Sequence, residues 1–159
     1  MKKITKILLL LLVCVSTLSL TGCVEKNVEG ELSDIMTKIY DGIAADEMPM
    51  VENFNPLDVE IQPLSYYIGD ENIDYKEILV SEPVIGSIAY SVVLVRMEEN
   101  ADIEEAKTAI EENIDPRKWT CVWVEKDDVI VKSKGDLIIL IMVENETLRE
   151  KIEEGFDNL

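Results

Sequence analysis

The chain contains no histidine. That removes the commonest general base, metal ligand and triad member at one stroke. Cysteine is nearly as scarce, with three in 159 residues. Zinc chemistry, which draws on several Cys or His ligands, has nothing to build on. The seven glycines are scattered. None sits as GxGxxG or GxxxxGK, so no phosphate-cradling loop is encoded. GxSxG and SxxK are also missing, which leaves a serine nucleophile without its usual setting. Basic residues number 15 against 33 acids, for a net charge of −18. Nucleic acid is not an expected partner, because binding it takes clustered Lys and Arg to displace counterions.

What is present begins at the N-terminus. Lys2, Lys3 and Lys6 precede the apolar run from Ile7 to Val15, and Ser16, Thr17 and Ser19 follow. A charged, then apolar, then small-residue order is that of a secretory signal. The uninterrupted apolar run falls well short of the ~20 residues that a spanning helix needs. The run leads into Leu20-Thr21-Gly22-Cys23, which resembles the lipobox of bacterial lipoproteins. The resemblance implies cleavage before Cys23 and a diacylglyceryl thioether on its sulfur. Leu20 matches the apolar third position before the cut, and Thr21 and Gly22 are small enough to lie extended in a protease site. The implied location is the outer face of the cytoplasmic membrane, with the membrane itself as first partner. Two acyl chains anchor stably where one holds only marginally. Cys14 would leave with the leader.

On this reading residues 1–22 are a signal peptide, 23–30 a short tether and 31–159 a single extracytoplasmic domain, an ordinary size for one core. Losing three lysines and no acid takes the charge from −18 to −21. Such a surface is repelled by anionic headgroups; it either keeps the domain soluble and off the membrane surface or simply reflects an acidic proteome. Cys121 is the one remaining free thiol, so no internal disulfide can form. Its setting, Thr120-Cys121-Val122-Trp123-Val124, is apolar and predicts a buried, inert thiol.

Leu32, Ile35, Met36, Ile39, Tyr40 and Ile43 recur at helical spacing and predict a helix over 31–45. Residues 46–75 are broken by Pro49, Pro56, Pro63 and Gly69. Within them 57–61 alternates like a short strand, and 65–68 fits a helical turn or a strand end. Strands are expected at 77–81, 88–97, 120–125, 129–132 and 137–143, with 126–128 as a hairpin turn and 134–136 as a second turn. Asp102 opens a helix that ends before Pro116, and Asn145 N-caps a last helix facing inward through Leu148, Ile152 and Phe156. Tight turns between consecutive strands predict antiparallel pairing. The expectation is an α+β fold: an antiparallel sheet of about four to five strands with helices packed on one face.

The strand Val92-Val93-Leu94-Val95, the helix with Glu105-Ala106 and Ala109-Ile110, and the strand 137–143 with its following helix make the last two-fifths of the chain similar to a family of small Gram-positive lipoproteins that carry a domain of unknown function. Weaker likeness extends to Tyr66-Tyr67. The resemblance implies location and fold, and carries no activity.

Three functional readings follow. The first is a lipid-anchored, non-enzymatic domain for protein interaction or envelope function. The second is a small ligand- or cation-binding lipoprotein accessory to a transporter. The third is a carboxylate-based hydrolase, since acids are abundant enough to pair. No cofactor and no catalytic set is expected. Asp70, Asn72 and Asp74 place oxygens at alternate positions like the start of an EF-hand loop, but Tyr75 stands where glycine is needed and Ser81 where glutamate is. They are weak metal candidates. Tyr66, Tyr67 and Trp119 are the candidate ligand or interaction surface, because loops carry function and aromatics favour interfaces. Trp123 is expected in the core.

Overall fold

The computed structural model describes residues 26–49, 55–56, 62–83 and 85–159. In chain order the elements are α1 (Leu32–Ile39), β1 (Asn55–Pro56), α2 (Leu64–Ile68), β2 (Tyr75–Ser81), β3 (Tyr90–Met97), α3 (Ile103–Asn113), a 3-10 turn (Lys126–Asp128), β4 (Ile130–Lys134), β5 (Leu137–Val143) and α4 (Glu146–Asp157). The strands form one sheet in the order β1-β2-β3-β5-β4. Every pairing is antiparallel. The α+β class and the antiparallel sheet are as the sequence predicts.

The placement of the helices is not. Side chains alternate across a strand, and here both sets are apolar. Tyr90, Val92 and Leu94 of β3 join Leu137, Ile139, Ile141 and Val143 of β5 beneath α1 and α4. Val93, Val95 and Met97 join Ile138, Leu140 and Met142 beneath α2 and α3. Helices therefore cover both faces, which corrects the expected one-sided packing. The physical reason lies in β3 and β5 themselves: all their residues are buried, so neither face of the inner strands can be left to water.

Local chemistry sets the boundaries. The side chain of Asp102 accepts from the Glu105 N–H and that of Asn145 from the Leu148 N–H, satisfying otherwise unpaired helix-start donors. α1 stops at Ile39 rather than near residue 45, and the chain turns through Gly42 at φ 85°. α4 carries Gly155 where a Cβ would meet the backbone carbonyl oxygen of Ile39. That missing side chain lets the two helices of the first face touch backbone to backbone. The expected strand at 57–61 lies outside the described residues.

Residues 120–125 are the clearest departure. They form no strand but an irregular segment that leads into the 3-10 turn, which replaces the expected hairpin turn. The sheet ends at β4 instead. Cys121 takes a left-handed φ of 65°, which breaks the extended path and reverses the expected facing of its neighbours. Cys121 is exposed, not buried. Trp123 is 47% exposed rather than part of the core. Val124 alone of the run is buried.

At the opposite end of the sheet, residues 26–30 lie against the domain. Arg96, at the end of β3 and only 8% exposed, donates to the carbonyl oxygens of Val28 at 2.9 Å and Gly30 at 2.8 Å. It also pairs with Asp136 at 2.9 Å and lies 3.7 Å from Glu77. Val28 packs on the first core cluster. Gly135, in the β4–β5 turn, lets the backbone of Lys26 pass where a Cβ would strike it. No helix among the described residues is long and apolar enough to cross a membrane.

Candidate functional site

The segment between α3 and β4 carries the site. It begins after Ile114, whose side chain is buried on the second face, and Asp115 Oδ1 accepts from the Arg117 N–H. Two backbone bonds then hold it. Thr120 donates to the Gly86 carbonyl at 2.9 Å and Val124 to the Pro116 carbonyl at 3.0 Å. The first ties the segment to the β2–β3 connection, and the second closes the segment on itself.

Lys118 is the anchor. Its side chain is 3% exposed, and its ammonium lies 2.5 Å from Glu82 Oε1. Ser91 Oγ donates to the same Glu82 oxygen at 2.6 Å. The ammonium stands 4.4 Å from the Tyr66 ring centroid and 5.4 Å from those of Tyr67 and Trp119. Tyr66 and Tyr67 meet edge to face, with centroids 5.1 Å apart. The three aromatics singled out in the sequence therefore converge, and what they enclose is the protein's own cation. Cation–π attraction strengthens as water is excluded. Burial pushes the Lys118 ammonium below its ordinary range, and Glu82 acts in the opposite sense. Tyr66 is pushed up, first by burial and then by the charge of Glu82.

The sequence reading missed both Lys118 and Glu82. Neither belongs to a motif, and they are brought together only by the packing of the 115–125 segment over the β2–β3 connection. The one available signal was the adjacency of Lys118 to Trp119, and adjacency alone does not show burial.

With Lys118 drawn inward, Arg117 beside it is exposed. The Arg117 guanidinium lies 5.7 Å from the centroid of the exposed Trp123 ring. The indole Nε1 of Trp123 donates to Glu125 Oε1 at 2.9 Å, which fixes the ring's orientation. Beside it is a groove of about 310 Å³ lined by Cys121, Val122, Trp123, Val124, Glu125, Asp128 and Glu144. Asp128 also accepts from Arg149 at 2.8 Å, and Arg149 donates in turn to the Val143 carbonyl at 2.9 Å. This arrangement sets an aromatic face beside carboxylates, which suits recognition.

Asp70, Asn72 and Asp74 stand at the far end of the second face, lining a groove of about 240 Å³ with Asp102 and Glu105. Asp70 Oδ1 accepts from both the backbone N–H and the side-chain amide of Asn72. Asp102 is engaged as the cap of α3. Among the described residues no three acidic or thiol groups are close enough to hold a metal ion together. Leu20, Thr21, Gly22 and Cys23 lie outside the described residues.

No family model, curated protein or solved structure matches the chain.

Proposed function

We propose that the chain is a lipid-anchored extracytoplasmic domain that works by binding a partner protein. The carrying observation is the separation of its two ends. Arg96 clamps residues 26–30 at one end of β3, and Arg117 and Trp123 stand exposed at the other. Eight residues of strand lie between, a distance of about 25 Å. With lipid on Cys23, only residues 24 and 25 separate the anchor from the described chain, a reach of about 10 Å. The aromatic end then faces away from the bilayer. An oriented Trp beside an Arg is the kind of pair that dominates binding energy at interfaces.

Two measurements test this. A fatty-acid analogue supplied to cells should label the wild type and not Cys23→Ala. A photo-crosslinking amino acid in place of Trp123 should yield a defined protein adduct, and the same group in place of Glu98 should not. Label on Cys23→Ala, or crosslinks that go mainly to lipid from position 123, would reject the reading.

A second reading, a cation-binding accessory lipoprotein, would use the groove lined by Asp70, Asn72, Asp74, Asp102 and Glu105, although no three acidic groups there are close enough to share an ion. A saturable rise in melting temperature with calcium at constant ionic strength, lost in the Asp70→Ala, Asp74→Ala double variant, would promote it.

A further inference from the structure

We infer that the groove between the 121–125 segment, Asp128 of the 3-10 turn and Glu144 just after β5 receives a lysine or arginine side chain from a basic segment of the partner protein. This rests on the interaction reading and names the chemistry of its site.

The groove has two kinds of wall. Val122, Val124 and the Trp123 ring are apolar, while Glu125, Asp128 and Glu144 bring three carboxylates. An aliphatic stem ending in a cation is the side chain that suits both, because Lys and Arg lay their methylenes on apolar surface and keep the charged head among polar groups. A volume of about 310 Å³ is at the small end of ligand pockets, which span ~300–1,000 Å³. It has room for one long side chain, not for a large cofactor.

The site already holds one guanidinium of its own. Arg149 bonds Asp128 from the protein side at 2.8 Å and the Val143 carbonyl at 2.9 Å. With Arg117 against the Trp123 ring, two guanidiniums stand against three carboxylates, which leaves one negative charge in excess. Trp123 is also held in place beforehand through its 2.9 Å bond to Glu125, so less conformational freedom is lost when a partner docks.

Charge selects among occupants. The chain carries −18 overall, which repels a second copy and steers a basic partner toward it. Anionic lipid is repelled by the same carboxylates, and the groove stands at the end of the sheet opposite Arg96 and residues 26–30.

The test uses the full lipid-anchored protein in a non-ionic detergent. Pentalysine amide and pentaarginine amide are titrated at physiological ionic strength, with tryptophan fluorescence and calorimetry as readouts. Saturable binding is expected, weakened about tenfold by Glu144→Gln and at least as much by Trp123→Ala, as befits a central aromatic contact. Glu98→Gln makes the same charge change at the other end of the sheet and should leave binding unaltered. Equal weakening by Glu98→Gln and Glu144→Gln would overturn the inference, because net charge would then be the whole effect. Absence of saturable binding would overturn it too. Photo-crosslinking from position 123 keeps the two levels apart: a protein adduct in cells without oligocation binding rejects the basic side chain and leaves the interaction reading standing. Loss of both rejects both.

Discussion

Nζ of Lys118 stands 2.5 Å from Oε1 of Glu82, across 36 positions of sequence. This contact ties the irregular segment between α3 and β4 to the end of β2, and so decides where Arg117 and Trp123 point. Removing one partner of a buried pair leaves the other charge without compensation.

Lys118→Met should therefore destabilise the fold by about 3 kcal/mol. Glu82→Gln with Lys118→Met should recover part of that loss, since no lone buried charge remains. Denaturant unfolding of the single and double variants measures the coupling. Strict additivity of the two changes would show that the pair does not act as a unit.

Arg96→Ala should free residues 26–30. Two charge-assisted bonds to backbone carbonyls are lost, each contributing about 1.5–3 kcal/mol. The expected signature is tryptic cleavage after Lys26 well before global unfolding. Arg96→Lys should restore protection only in part, because an ammonium cannot span the two carbonyls as the planar guanidinium does. Unchanged cleavage kinetics in Arg96→Ala would mean the segment is held by other contacts.

Cys121 is exposed at a φ of 65°. A water-soluble maleimide should alkylate it in the native protein at nearly the rate seen in denaturant. The left-handed region is open to glycine and strained for a branched side chain. Cys121→Gly should thus hold or raise the melting temperature, and Cys121→Val should cost about 1 kcal/mol or more. Equal losses in both would argue that the backbone relaxes around this position.

Tyr40 and Tyr90 share a hydrogen bond of 2.7 Å between their hydroxyls. Burial, as the largest cause, raises the Tyr90 phenol from 10.0 to about 12 and Tyr40 well above its ordinary value. The folded state keeps protons that the unfolded chain releases. The pair's contribution is complete below pH 10.0 and is lost as pH climbs through about 12. Melting temperature should fall along that alkaline limb in the wild type. The Tyr40→Phe, Tyr90→Phe double variant should show a flatter limb, and the tyrosinate absorbance that the wild type gains over that variant should appear together with unfolding.

The elements legible in the sequence are those whose signals are local. Asp102 and Asn145 announce their helices because a cap needs only the next turn. The run 137–143 announces a strand because its branched apolar residues are uninterrupted. The convergence of Tyr66, Tyr67 and Trp119 could be suspected from residue type. Its centre could not, because a lysine among aromatics is recognised only after α2, the β2–β3 connection and the 115–125 segment are packed together. The alternation around Cys121 misled for a related reason. Period-2 hydrophobicity predicts a strand only if a neighbour offers backbone to pair with, and β4 takes that place on β5.

Spacing, capping and composition were enough for the antiparallel α+β class, the inner strands, the helix starts and the acidic surface, since each is a local or summed property of the chain. That helices cover both faces, that Lys118 and Glu82 meet, that Arg96 grips residues 26–30 and that Trp123 stands in water came only with the packed fold. Each of these depends on residues far apart in the chain, brought into contact by the burial of two apolar faces, and no local pattern encodes which distant partner a side chain will find.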